Sequence, residues 1–139
     1  MGKLRDIVRG SWWGRILAEH DTEPTELAGG LMKVLLGLVL LTPLDTFGGA
    51  RVYGMLSALS EPAWGAIMLL FGAAHLLALR SGRPSWRRTM CLAGFMIWFT
   101  WSVSFWLGNP SNTGGVVYAL AALAQAWCYV RLSALKAGA

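Results

Sequence analysis

The sequence predicts an all-α polytopic membrane protein: a four-helix transmembrane bundle with an N-terminal amphipathic surface helix. Three observations lead there. Of 139 residues, 55% are hydrophobic and 14% charged, against roughly 25% charged in an average soluble domain. Four apolar stretches each approach the ~20 residues needed to cross a hydrocarbon core. Basic residues collect in alternate connections between those stretches.

The same numbers exclude other classes. Intrinsic disorder needs low hydrophobicity and high charge. A chain this short has too much surface to hide so much apolar area in water. The net charge of +5 raises nucleic acid as a partner, but the basic residues flank apolar segments. Anionic lipid headgroups are the simpler partner, and no nucleic acid partner is expected. Residues 1–26 lack an apolar run followed by a small-residue cleavage site, so no cleaved signal peptide is expected.

Residues 1–26 read as an interfacial segment. Leu4, Ile7 or Val8, Trp12 and Ile16 recur at helical spacing, with Lys3, Arg5, Arg9 and Arg15 as charge and Trp12 and Trp13 at headgroup level. Asp21, Glu23, Pro24 and Glu26 supply helix-start chemistry. The bundle is expected over 27–139, with spans at about 27–44, 63–79, 89–107 and 113–130. Lys33 interrupts the first span close enough to its start to snorkel to the interface. Pro43 kinks or ends that span. Residues 51–59 suit a short interfacial helix. Ser60, Glu61 and Pro62 repeat the helix-start pattern, but no further register follows, so the chain carries no duplication. Arg80, Arg83, Arg87 and Arg88 make the second loop basic and suit surface anchoring. Gly108 to Asn112 form an uncharged turn.

Eleven of the twelve Lys and Arg fall in the N-terminal part (with Lys33), the second loop and the C-terminal tail. Positive charge marks the cytoplasmic side, so both termini are expected there, in a bacterial inner membrane. An even number of spans agrees. Trp64, Trp86, Trp106 and Trp127 fall near span ends, where aromatic belts form.

Candidate functional residues are few. Gly115, Ala119, Ala122 and Ala126 share one face of the fourth span, and Gly65 and Gly72 share a face of the second with Met68 and His75. Small residues let membrane helices approach closely. Such a seam serves packing within the bundle or association with another subunit, and assembly is expected through the fourth and second spans. His75 is a possible intramembrane polar site. Gln125 is the residue at matching depth, with no carboxylate expected beside it. Phe95, Trp98, Phe99, Trp101, Phe105 and Trp106 fill the core or meet lipid, or hold a planar ligand. Thr89, Thr100 and Ser104 bond across helices or back to their own carbonyls. Cys91 and Cys128 read as small buried apolar residues. Two Cys and one His do not make a zinc motif, and no catalytic constellation stands out. No metal, cofactor or enzymatic activity is expected.

Three functions fit this reading. The first is a structural or accessory subunit that assembles with itself or a larger membrane complex. The second is an oligomeric pore or membrane-permeabilising protein of the holin or defence-effector kind. The third is a small proton-linked transporter, which needs a membrane-embedded carboxylate where the first span offers Lys33.

Overall fold

The computed structural model describes residues 21–42, 56–109, 111 and 113–137. They form four long helices: α1 (Glu23–Leu41), α2 (Glu61–Ser81), α3 (Pro84–Gly108) and α4 (Thr113–Ala137), with a short 3-10 turn at Leu56–Ala58 before α2. All four helices are long and apolar enough to cross a membrane. The N-terminal surface helix, with Arg5, Arg9, Trp12, Trp13 and Arg15, lies outside the described residues, as does Pro43.

Local chemistry starts and stops each helix. The Asp21 carboxylate accepts the Glu23 N–H at 3.1 Å, and Pro24 sits in the first turn of α1, where its missing donor costs nothing. Glu23 and Glu26 face the positive end of that helix. Pro62 and Glu61 begin α2 in the same way. Gly82 ends α2 in the left-handed region, at φ 65°, a conformation that side chains oppose. Its N–H closes the last turn on the Leu79 carbonyl at 3.1 Å.

The helices outrun the apolar spans that hydropathy marks. α1 begins four residues before position 27 and stops at Leu41. α3 begins at Pro84, so Trp86, Arg87 and Arg88 belong to a helix and not to a loop. Hydropathy locates apolar content, whereas a proline at the first helical position sets where the backbone winds.

Each helix buries one narrow stripe. In α1 it is Glu26, Gly30, Lys33, Gly37 and Leu40, spaced four, three, four, three. In α2 it is Gly65, Met68, Gly72, His75 and Ala78. This spacing of about 3.5 is the seam of left-handed bundle packing. α1 packs mainly on α2, and α3 on α4, giving two antiparallel hairpins.

Glycines hold the first hairpin together. A Cβ on Gly37 would lie 2.7 Å from the Leu69 nitrogen and 2.9 Å from the Gly65 oxygen. A Cβ on Gly72 would lie 2.8 Å from the Val34 nitrogen and 3.0 Å from the Gly30 oxygen. These are backbone atoms and cannot swing aside, so the two helices touch where side chains are absent. In the second hairpin, Gly115 packs against the Trp106 ring, and its carbonyl accepts from Ser102 Oγ at 2.8 Å. Ala122 is buried in the core. The glycines of both seams, and Ala122, are therefore used between helices of one chain.

Aromatic rings fill the end of the interior away from Arg87. Trp98 stacks on Tyr118 at 5.5 Å. Trp101 meets Tyr118 at 5.4 Å and Trp64 edge-on at 5.9 Å. Phe105 joins at 5.1 Å from Tyr118. Trp98 and Trp101 are core residues, while Phe99 and Trp106 face outward. Thr89, Thr100 and Ser104 each donate to the carbonyl four residues back.

Replacing Gly37 by Leu tests the first seam. The clash is with backbone, so the bundle is expected to lose about 1–3 kcal/mol, the usual cost of overpacking. Denaturant titration in detergent micelles measures it. Leu35→Ala, on the outward face, serves as the control and is expected to change little.

Candidate functional site

The chemistry of the chain gathers at one end of the bundle interior. Glu26 and Arg87 are the fourth residues of α1 and α3. Both helices start at the same end, so the two side chains meet across 61 residues of sequence. Arg87 Nη2 donates to Glu26 Oε1 at 2.7 Å, and Nε donates to Oε2 at 2.9 Å. The same guanidinium donates to Glu23 Oε1 and to Thr22 Oγ1, each at 3.2 Å. Glu26 is fully buried, while the Glu23 side chain is 57% exposed. The exposed contact adds little, since such pairs are worth about 0–1 kcal/mol. The buried fork is the decisive one, because stripping a partner from a buried ion costs about 3–5 kcal/mol.

This corrects the surface role expected for Arg87. Its side chain is 11% exposed, and it is committed to α1. Arg80 and Arg83 remain exposed, with Arg83 over the Trp86 ring at 5.6 Å. Arg88 is half-buried.

Lys33 lies two turns deeper. Its side chain runs back toward the helix start, as helical side chains do, but it does not snorkel to the surface. It is buried, at 1% exposure. Nζ donates to the Gly29 carbonyl at 3.0 Å and meets His75 Nδ1 at 3.2 Å. The Trp98 ring lies 5.8 Å away, within cation–π range. Three partners inside the bundle replace the water an ammonium loses on leaving the interface, which explains the inward course.

His75 is also fully buried. Its partner is Lys33 and not Gln125, and a carboxylate does share its depth. Ligand atoms of Glu26, His75 and Cys91 lie within 4.8 Å of one another. The expectation of a histidine with no nearby acid fails because α1 starts earlier than hydropathy indicates and carries Glu26 inward. Cys91 and Cys128 are buried and side by side, between α3 and α4.

Gln125 is 2% exposed and reaches between two glycines. A Cβ on Gly94 would come within 2.6 Å of Gln125 Oε1 and 3.0 Å of Lys33 Nζ. One on Gly29 would overlap the Gln125 amide. Gly29 and Gly94 therefore make the space these polar side chains occupy. Among the described residues, His75 Nε2, Gln125 Oε1 and Trp98 Nε1 are buried with no hydrogen-bond partner. Buried polar atoms are nearly always satisfied, so the His75 and Gln125 atoms keep unused bonding capacity within the cluster.

Sequence reasoning named His75 and Gln125 but missed Glu26, Lys33 and Arg87 as interior groups. A signal was there. Glu26, Gly30, Lys33 and Gly37 share the 3.5-residue stripe that Gly65, Met68, Gly72 and His75 show in α2.

No family model matches the chain, and neither a curated protein nor a solved structure matches it.

Removing Arg87 alone strands Glu26. Arg87→Met is expected to destabilise the bundle by about 3–5 kcal/mol, whereas Glu26→Met combined with Arg87→Met costs much less, since no uncompensated charge remains. Unfolding titrations of the wild type, both single variants and the double variant measure the coupling.

Proposed function

We propose that the chain is a non-enzymatic integral membrane protein that acts as an accessory subunit of a larger membrane complex. One observation carries this reading. Within 27–41, 62–79, 92–107 and 116–130, every exposed residue of the helices is apolar. Leu35, Leu70, Leu107 and Leu123 are each more than 60% exposed. Such an exterior suits lipid or another apolar helix, while the ionisable groups turn inward, as a bilayer requires.

The same exterior weighs against the pore alternative. Copies of this bundle ringed around a water-filled channel need a polar outer stripe, which these spans do not offer. The interior is closed to a channel by Trp98, Trp101 and Phe105. Since the glycines of both seams and Ala122 are spent within the chain, association uses other surfaces. The Leu- and Phe-bearing outer faces are the surfaces left for it.

The orientation follows from charge. Arg80, Arg83 and Arg88 stand at the end where α1 and α3 begin and α2 and α4 finish. Positive charge favours the cytoplasmic side, so we place that end, with both termini, in the cytoplasm of a bacterial inner membrane. Anionic headgroups are the partners of the exposed arginines.

Reconstitution into dye-loaded liposomes, paired with sizing of gently solubilised native membranes, tests the reading. The expected result is dye retention and a native complex larger than the chain alone. Dye release in proportion to added protein would establish the pore instead, and a lone chain in native extracts would remove the accessory role.

A further inference from the structure

The buried cluster has the donors of a metal site. Ligand atoms of Glu26, His75 and Cys91, from three different helices, lie within 4.8 Å of one another. All three side chains are buried. Zinc on the unpartnered Nε2 leaves the ring proton on Nδ1, which donates it to Lys33 Nζ as the neutral amine, because an ammonium offers no acceptor. Cys128 stands beside Cys91 and supplies a second thiol. We propose that this cluster binds one zinc ion through His75, Cys91 and Glu26, with Cys128 as the fourth donor.

The chemistry of the donors selects the ion. Imidazole and thiolate together suit zinc and its neighbours, whereas magnesium and calcium take oxygen. The size also fits. Ligands about 2.0–2.3 Å from a tetrahedral zinc stand roughly 3.3–3.8 Å apart. The three donors within 4.8 Å therefore close by at most about 1.5 Å, and Cys128, outside that set, turns toward them from beside Cys91. Charge is the main objection, because Arg87 is a cation and Lys33 has to give up its ammonium proton. Zinc deprotonates the thiols it binds, and their protons and that of Lys33 leave to solvent as the metal binds, so two thiolates join Glu26 as negative charges. These three balance the Arg87 guanidinium and the divalent ion together. Glu26 keeps its Arg87 fork, since each carboxylate oxygen has a second lone pair. Arg87 then acts as the outer partner that orients the ligand, a role such sites need.

Local sequence carries no trace of this arrangement. The donors are spread from position 26 to 128, so no paired-cysteine or helical histidine motif forms, and the expectation of no metal rested on that spacing. Only the meeting of the two hairpins brings the donors together.

The test uses the full-length, tag-free chain in detergent, stripped with a chelator and loaded with Zn²⁺ or Co²⁺. Metal per chain is measured after desalting, and the cobalt form is read by absorption. The expected result is one ion per chain, with a thiolate-to-cobalt charge-transfer band and tetrahedral visible bands. Cys91→Ser and His75→Leu are each expected to weaken binding by about 10–100-fold, the loss seen even for outer partners of metal ligands. His20→Ala is expected to leave it unchanged. Wild-type protein that holds no stoichiometric metal, or cobalt binding without a thiolate band, overturns the proposal. So does binding that survives both Cys91→Ser and His75→Leu. The wild-type spectrum decides the matter even if a variant fails to fold.

Discussion

The fork between Arg87 and Glu26 is the joint on which the bundle's arrangement depends. A carboxylate and a guanidinium at the edge of an apolar interior each need a partner, because neither lipid nor leucine provides one. They find each other only if α1 and α3 begin at the same level and face one another. The fork thus fixes how the two hairpins register. Within each hairpin, close packing already sets the geometry: glycine against backbone between α1 and α2, and Trp106 and Ser102 against Gly115 between α3 and α4. Between the hairpins there are fewer contacts, so a few strong polar ones carry more weight.

The interior is divided along its length. Near the arginine-rich end it holds Glu26, Lys33, His75, Cys91, Gln125 and Cys128. Farther along it holds Trp98, Tyr118, Trp101 and Phe105. Lys33 and Trp98 meet where the two zones join, the ammonium lying over the ring. This gradient has a physical basis. Polar groups cost least near an interface, and the large ring faces of Trp98, Tyr118, Trp101 and Phe105 fill the rest of the interior. Gly29 and Gly94 extend the polar zone by leaving space for Gln125 and Lys33.

Much of the fold was legible in the sequence. Apolar runs between prolines and basic clusters give four helices, and the face of Gly65, Met68, Gly72 and His75 emerges from spacing alone. The ends of the helices were less legible. A hydropathy boundary at 27 leaves Glu26 outside the span, and one at 89 leaves Arg87 in a loop. Both residues lie inside helices because Pro24 and Pro84 start the winding earlier. That shift of four or five residues changes two surface charges into an interior ion pair. Lys33 is a different case. Its direction along α1 was foreseeable, but its depth in the bundle depends on His75 and Trp98, which belong to other helices. The stripe shared with Glu26, Gly30 and Gly37 marks its inward face, but which residues meet it there is set by contacts over 40 residues and more, which local spacing does not show.

The central claim is that Glu26, Lys33, His75, Cys91, Gln125 and Cys128 are sealed inside the four-helix bundle. Cys91 and Cys128 are the two cysteines of the sequence, so the native protein reports on this without substitution. The measurement is labelling of intact membranes with a membrane-impermeant and a membrane-permeant maleimide, before and after denaturation. The account predicts that both thiols stay unlabelled by either reagent until the chain is unfolded, and then react fully. Rapid labelling of either cysteine in the native membrane by the impermeant reagent would contradict it, since that requires an interior open to water.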